Sequence, residues 1–429
     1  MRRSALTLVA ATASAALLLA GCAPSAPQSS SSGGSDEDVT LKVWSWRTED
    51  VDAYNRIFDV FEQENPGITV DFEAFQNTEY NQILTTGLAG SDGPDVPMVR
   101  AYGQLQPNIE AGQLVAIDDD VEGLDAIDPS VLAGAKGRED GKTYAVPLAT
   151  QTLQMFYNKD IFEQNDLEVP TTWDEFIDVQ ETLLANGVTP MALGVKDDWM
   201  MPIFADIMGS ARYGGSEFET AVLDGSKTFE DPDYVASLQL VEDMKKYLTP
   251  DVVGVGYSDS QIQFTSGQAA QFPGGSFEIS TFANQAPDLN LGSYQVPLPP
   301  QAVSETPVSP AYADGNFALN AKSDHQEAAL TLLNWLATPE FGQLVADELN
   351  QFSAIPGVEY SNPVMQEAWD NYQDGKAPYL LLVDFRYGEP LGTAVLGQQV
   401  QKIFMGEQDA EGAATALQTG ISQWFTPGQ

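Results

Sequence analysis

Strand-like and helix-like segments alternate along the chain from Val39 onward, and this order constrains the fold more than any other feature. Apolar residues recur at every second position in the strand-like segments and at helical spacing in the others. The order strand, helix, strand, helix, strand is typical of a parallel sheet covered by helices, so we predict an α/β lobe. The predicted elements are a strand over 39–44, a helix capped by Thr48 and ending at Asn65, a strand over 68–74, a helix over 80–88 and a strand over 95–99.

The same alternation returns in the rest of the chain. Thr172 and Glu175 are spaced as in a capping box, which predicts a helix from there to about Ala185. The proline-rich stretch 297–300 breaks the pattern and predicts a crossover between two lobes. Further helices are predicted over 234–247, 326–337 and 393–404.

Charge and cysteine content narrow the class of protein. The formal charge is -43, from 19 basic and 62 acidic residues, so nucleic acid and anionic lipid headgroups are excluded as ligands. A single cysteine allows no disulfide within the chain, so core packing has to hold the body together. With 43% hydrophobic and 10% aromatic residues, the composition is sufficient for real cores.

The N-terminal segment predicts export and lipid anchoring. Arg2 and Arg3 precede an apolar stretch over 5–20, as in an export signal. The run Leu19-Ala20-Gly21-Cys22 resembles the lipobox of bacterial lipoproteins, whose cysteine receives the lipid; the alternative is a plain secretory signal with an incidental cysteine. We predict a signal peptide over 1–21 and a flexible Ser/Pro/Gly-rich tether over 22–38, which together place the body on the outer face of the cell membrane.

Catalytic motifs are missing from the sequence. His325 is the single histidine, so neither a Ser-His-Asp triad nor a histidine-based zinc site has its usual residues. The acidic run at 118–123 begins like a calcium loop, but its twelfth position is Pro129 instead of glutamate. We therefore predict no metal, no cofactor and no enzyme activity. A carbohydrate-active hydrolase stays open as an alternative, because carboxylates are abundant and nothing selects a pair.

Aromatic residues stand where predicted strands and turns end. Ligands of open α/β sheets bind beyond the carboxyl ends of the strands. Flat rings there can stack on sugar rings while polar side chains bind the hydroxyls; the competing interpretation is that these rings belong to the core. The residues concerned are Trp44, Trp46, Tyr102, Trp199, Phe277 and Tyr387.

Several longer motifs carry a resemblance to a known family. The chain resembles the extracellular solute-binding proteins of ABC sugar importers, relatives of maltodextrin-binding protein. The motifs are Lys42-Val43-Trp44-Ser45-Trp46, the stretch 61–70, Gly93-Pro94-Asp95-Val96, the stretches 141–147 and 156–160, the stretch 170–176, and Gly274-Gly275-Ser276-Phe277.

The resemblance implies the fold, the site and the partners. It implies a two-lobed periplasmic-binding-protein-like α/β fold with a hinge and an interlobe ligand cleft. The lobes would comprise 39–149 with 297–342, and 150–296 with 343–429. The implied ligand-binding residues are Trp46, Arg47, Asp95, Arg100, Tyr102, Gln151, Trp199, Phe277, Glu278, Asp314, Gly315, Asn316, Arg386 and Tyr387.

The function expected from this resemblance is capture of a carbohydrate such as an oligosaccharide, and its delivery to ABC transporter permease subunits by hinge closure. The protein would act as a monomer that contacts the membrane through the lipid on Cys22 alone. Alternatives are a hydrolase, a surface adhesin, or a binding protein for a non-sugar solute.

Overall fold

The computed structural model describes residues 38–428 of the 429-residue chain. The predicted signal peptide, Cys22 and all of the tether except Asp38 lie outside the described residues. None of the described helices is long and apolar enough to cross a membrane.

Ten strands form one sheet of mixed direction. They are β1 Val39–Ser45, β2 Ile68–Ala74, β3 Val96–Val99, β4 Ala145–Asn158, β5 Thr189–Met191, β6 Ala269–Gly275, β7 Leu291–Tyr294, β8 Ser309–Ala318, β9 Phe352–Ser353 and β10 Lys376–Pro378.

Helices cover the sheet and account for most of the connections. They are α1 Val51–Glu64, α2 Asn77–Ala89, α3 Gln106–Glu110, α4 Pro129–Leu132, α5 Lys159–Gln164, α6 Trp173–Ala185, α7 Met200–Tyr213, α8 Gly215–Asp224, α9 Pro232–Asp243, α10 Tyr257–Thr265, α11 Glu278–Gln285, α12 Gln326–Leu336, α13 Pro339–Leu349, α14 Pro363–Asp374, α15 Leu380–Val383, α16 Gly392–Met405 and α17 Ala410–Ile421.

The sheet order β2-β1-β3-β8-β4-β6-β5 places three parallel strands at one side. β1 pairs in parallel with both β2 and β3, so the carboxyl ends of these strands meet at one edge of the sheet. β8 then runs antiparallel to both β3 and β4. The predicted α/β lobe is confirmed, with an antiparallel strand added beside its parallel ones.

The long strand β4 passes from one hydrophobic core to the other. Its first half pairs with β8 and its second half with β6 and β7, and all of its 14 residues are buried. The first core contains Ala149 and the second begins at Leu153, and the residues between them are the buried Thr150, Gln151 and Thr152. A run of buried polar residues therefore separates the two cores within a single strand.

The first core reaches further along the chain than the predicted lobe boundary at residue 342. Val345, Leu349 and Ile355 all belong to it, because α13 packs beside α1. An ion pair between Arg56 of α1 and Glu348 of α13, at 2.7 Å, also joins these helices. We therefore propose that the first lobe continues to about Ile355.

Local sequence patterns predicted most element positions. Thr172 and Glu175 form the expected capping box at the start of α6, and α6 ends at Ala185. The prediction for Thr48 is wrong: it opens a short 3₁₀ turn, and Asp50 precedes α1 without a side-chain cap. The predicted helix over 234–247 is α9 followed by a 3₁₀ turn over Met244–Tyr247.

Candidate functional site

A cavity of about 360 Å³ opens beyond the carboxyl end of β3. One wall comes from α2 and from the turn and helix that follow β3, and the other from the segment 386–391. Within this segment Tyr387 packs against the first core, whereas Gly388 lies against Trp424, which packs on the second core together with the preceding Phe385. The cavity therefore has walls from both lobes. Its lining residues are Asn81, Leu84, Thr85, Arg100, Gly103, Gln104, Gln106, Pro107, Asn108, Glu110, Arg386, Tyr387, Gly388, Glu389 and Leu391.

A close approach of two backbones forms the floor of this cavity. A Cβ atom on Gly103 would stand 2.0 Å from the carbonyl oxygen of Arg386, which no side chain tolerates. Glycine at this position therefore allows the segment carrying Arg386 to cross the turn after β3.

Arg100, Arg386 and Tyr387 are the predicted site residues that line the cavity. The guanidinium of Arg100 donates to the side-chain oxygens of Asn77 and Asn81, both on α2. The guanidinium of Arg138 lies over the ring of Tyr387, 4.8 Å from its centroid. Side chains of the first lobe thus hold Arg100 and cover the ring of Tyr387.

Burial lowers the pKa of both the Arg100 and the Arg386 guanidinium below the ordinary value. The negative charge of Asp314 opposes this shift at both residues, and the positive charge of Arg386 adds to it at Arg100. Asp314 is half-buried in β8, and no ion pair joins it to either arginine among the described residues. The three side chains form one electrostatic group.

Trp46 lies beneath this group and not at an open surface. The guanidinium carbon of Arg100 is 3.7 Å from the centroid of the Trp46 ring, and Tyr80 packs against that ring at 5.5 Å. Only 4% of Trp46 is exposed. The stacking role expected for Trp46 does not fit this geometry, and we assign the residue to the first core.

Arg47 is held by carboxylates where the two lobes meet. Its guanidinium pairs with Asp50 at 2.5 Å and with Glu49 at 3.4 Å. Asp50 in turn accepts a hydrogen bond from Ser280 of α11 at 2.9 Å. Arg47 therefore orients an interlobe contact, and it does not line the cavity.

Gln151 occupies the crossing between the two cores and is fully buried. Its side-chain oxygen accepts from the Ser276 hydroxyl at 2.7 Å. The amide of Gln351 lies between Gln151 and Arg47, with one amide atom 3.0 Å from Gln151 Nε2 and the other 2.8 Å from Arg47 Nη2. Gln151 therefore links Ser276, which follows β6, to the side chain of Gln351, and it does not line the cavity.

Tyr102 and Asp95 occupy opposite ends of β3. Tyr102 is buried, and its hydroxyl accepts from the backbone N–H of Ala313 in β8 at 3.0 Å. Asp95 precedes the strand, at the end away from the cavity. Its two carboxylate oxygens accept from the Lys42 N–H at 2.9 Å and the Ser323 hydroxyl at 2.5 Å. We therefore remove Asp95 from the candidate site.

Gly315 and Asn316 belong to the sheet itself. Gly315 adopts a φ of +75°, which favours glycine. Asn316 is fully buried between β3 and β4, and its amide donates to the Gly134 carbonyl at 3.4 Å. Of the predicted Asp314-Gly315-Asn316 turn, Asp314 alone remains a candidate for ligand contact.

A separate aromatic group stands on the second lobe. Trp199 is 38% exposed, and its ring lies 4.7 Å from Tyr257 and 6.4 Å from Phe277, centroid to centroid. Phe277 is half-buried at the end of the turn after β6. Trp199 therefore has the open ring that stacking requires, and it does not belong to the cavity lined by Arg100.

Glu278 follows Phe277 but is fully buried. Its carboxylate accepts from Tyr257 Oη at 2.9 Å and from Gln261 Nε2 at 2.7 Å. Burial raises the pKa of Glu278 to about 7. The residue ties α10 to α11 behind the aromatic group and makes no open contact.

Sequence reasoning missed several polar residues of the site. Asn81 and Gln104 line the cavity without having been predicted. The spacing of Asn77 and Asn81, four residues apart on one helix, was the available signal, because it places two amides on one helical face. Gln104 lies in a 3₁₀ turn that no pattern indicated.

The described residues contain no cluster of three or more His, Cys, Asp or Glu side chains suited to a metal ion. Arginines, amides and an aromatic ring dominate the cavity, and such groups bind hydroxyls, carbonyls and anions.

Comparison with known proteins identifies the family. The family described as bacterial extracellular solute-binding protein matches residues 45–343, which is more than half of the chain. The chain therefore belongs to this family, whose members are binding proteins.

The similar proteins agree with this assignment. The multiple sugar-binding protein of Streptococcus mutans is 24% identical over 353 residues, which are 80% of each chain. A solved chitin oligosaccharide binding protein has a TM-score of 0.76 at 21% identity, covering 91% of this chain and 99% of that one. The SBP RafE in complex with raffinose has a TM-score of 0.73 at 23% identity, covering 90% and 99%. These structures confirm the two-lobed α/β fold.

Proposed function

We propose that this protein is the carbohydrate-binding component of an ABC importer, which captures a sugar outside the cell and delivers it to the permease. The observation that carries the proposal is the cavity with walls from both lobes, lined by Arg100, Asn81 and Tyr387. Amides and guanidinium groups bind sugar hydroxyls, and an aromatic ring covers the apolar face of a sugar. The sugar-binding proteins that resemble this chain support the same ligand class.

Hinge closure would couple capture to delivery. β4 crosses from one core to the other, so a change at Thr150, Gln151 and Thr152 would reorient one lobe against the other. A ligand that contacts both lobes favours the arrangement in which both walls meet it. We infer that the permease recognises this arrangement, and that the protein is a monomer when it binds the permease.

We also propose that the protein acts by binding alone and leaves the sugar intact. Burial raises the pKa of Asp206 and Glu278 to about 7 and that of Glu219, which is hydrogen-bonded to Asp384, to about 8. None of these four carboxylates lines the cavity. Glu110 and Glu389 are the carboxylates that line the cavity, but both are exposed to solvent, whereas the general acid of a glycosidase sits in a desolvated site.

Export and anchoring complete the proposal. The Leu19-Ala20-Gly21-Cys22 run suggests that Cys22 carries a lipid which holds the body at the outer face of the membrane. The acidic surface would repel anionic headgroups, so the lipid would be the sole membrane contact.

A thermal-shift screen of the full chain, purified in detergent, tests the function. A sugar present at 100 times its Kd adds about 2.7 kcal/mol to the free energy of unfolding, so a true ligand raises the melting temperature clearly. The stabilising sugar should be recovered unchanged by mass spectrometry. Recovery of shorter saccharides would instead support the hydrolase, and stabilisation by peptides alone would support a non-sugar solute.

A further inference from the structure

Two arginines in the cavity have no carboxylate partner within ion-pair distance among residues 38–428. Arg47, Arg56 and Arg212 each form an ion pair of 2.7 Å or less. Arg100 instead donates to two neutral asparagine side chains, and Arg386 forms no ion pair in the same part of the chain. Arg138 is the third arginine without an ion pair among residues 38–428, and of these three Arg100 and Arg386 line the cavity.

Arg386 also has an unused donor. Its Nε atom is buried and has no hydrogen-bond partner in the described structure. A buried donor without an acceptor costs free energy, so such a group is expected to gain its acceptor from something that binds nearby. Arg386 lines the cavity, so a ligand there that turned this guanidinium toward itself could supply the missing acceptor.

Arg100 and Arg386 are the basic residues of the cavity lining, and the half-buried Asp314 is not part of that lining. Glu110 and Glu389 also line the cavity, but both are exposed to solvent, which screens their charges. A carboxylate in the cavity would give the Arg386 guanidinium the charged acceptor that it lacks among the described residues.

We propose that the carbohydrate bound here carries a carboxylate, as a uronic acid does, and that Arg386 binds this group together with Arg100. The inference rests on the proposed function and specifies its substrate class. A planar carboxylate matches the fork of a guanidinium group and brings one negative charge. A phosphate monoester, which brings about 1.5 to 2 negative charges at neutral pH, is the competing anion that the titrations have to distinguish from a carboxylate.

Titration calorimetry on the full chain tests the inference with matched ligands. Uronate-containing disaccharides and trisaccharides are compared with their methyl esters, which keep the rings and hydroxyls and lose the charge. We expect the free acid to bind about tenfold or more tighter than the ester, and this advantage to shrink as salt is added. Sugar sulfates and sugar phosphates are titrated in parallel, and tighter binding of either would contradict the carboxylate.

Variants then test which residue binds the carboxylate of the ligand. Arg386→Gln should reduce the acid-to-ester ratio to near one, while Arg386→Lys should keep part of it. Arg56→Gln removes an equal charge from an ion pair outside the cavity and should leave the ratio unchanged. Equal binding of acid and ester by the unmodified protein overturns the inference, whatever the variants do.

The outcomes separate this inference from the proposed function. Tight binding of neutral oligosaccharides with no preference for acids would leave the sugar-binding function standing and reject the carboxylate. Absence of binding by acidic and neutral sugars alike would reject both.

Discussion

Ser280 Oγ donates a hydrogen bond of 2.9 Å to Asp50 Oδ1, and both side chains are buried. Asp50 follows the turn after β1 and precedes α1, whereas Ser280 belongs to α11. The other oxygen of Asp50 pairs with Arg47. One carboxylate thus links the first lobe's own arginine to a helix of the second lobe.

Ser280→Ala should weaken sugar binding by about tenfold, because it removes a charged hydrogen bond that stabilises the contact between the lobes. The affinity is measured by calorimetry with a sugar identified in the thermal-shift screen. Ser266→Ala, at an exposed serine of the same lobe, is the matched control and should bind normally. Unchanged affinity in Ser280→Ala would show that this contact does not contribute to capture.

Truncation of two tryptophans should lower the free energy of unfolding by different amounts. Trp46→Ala should lower the free energy of unfolding by about 3–5 kcal/mol, because a large buried ring leaves a cavity. Trp199→Ala should lower the free energy of unfolding by less than about 1 kcal/mol, since 38% of Trp199 is exposed. Denaturant unfolding measures the two effects. Similar stability losses in both variants would contradict the assignment of Trp46 to the core.

Asp206 should make the protein less stable as the pH rises. Burial raises its pKa to about 7, and Tyr213 donates a hydrogen bond to one of its oxygens while the other has no partner in the described structure. The folded state therefore holds a proton that the unfolded chain releases near its ordinary value of 3.8, so stability falls between about pH 4 and pH 7. Asp206→Asn should remove up to about 4 kcal/mol of this pH-dependent decrease in the free energy of unfolding.

Asp233 provides a control of opposite sign. Its hydrogen bond from Arg212 holds the pKa of this carboxyl below the ordinary value, so its contribution is present above that value and is lost as the pH falls. Asp233→Asn should therefore reduce stability at neutral pH and have less effect in acid. Urea unfolding at several pH values measures both variants. A pH profile of Asp206→Asn parallel to that of the unmodified protein would contradict the first prediction.

Cys22→Ser should abolish membrane association of the protein. The reason is that the hydroxyl is a far weaker nucleophile than the thiolate which forms the thioether with lipid. Metabolic labelling with a fatty acid and partition into detergent give the readout. A fatty-acid label that persists in Cys22→Ser, or is missing from the unmodified protein, would contradict lipid anchoring through Cys22.

Local interactions explain which parts of the fold could be predicted from sequence. The capping box of Thr172 and Glu175 involves residues three apart, so it is visible in the chain. The strand β2 likewise alternates between half-buried and exposed positions, as its residues suggest. Both depend on neighbours in sequence.

The positions of the site residues depend on contacts between residues that are far apart in the sequence. Trp46 is covered by Arg100, and Asp50 meets Ser280 across 230 positions. The pattern around Trp46 indicated correctly that it follows a strand, but whether its ring faced the core or a ligand was decided by the turn after β3. Among the residues implied by the resemblance, Trp199 is exposed and Arg386 lines the cavity, whereas Asp95 lies at the end of β3 away from the cavity.

The central claim is that the cavity between the lobes binds a carbohydrate. Titration calorimetry of the full chain with acidic and neutral oligosaccharides, and with peptides of similar size under the same conditions, tests it most directly. We predict saturable one-to-one binding of at least one saccharide with micromolar or tighter affinity, and no binding of the peptides. Saturable peptide binding without a response to any saccharide would contradict the claim.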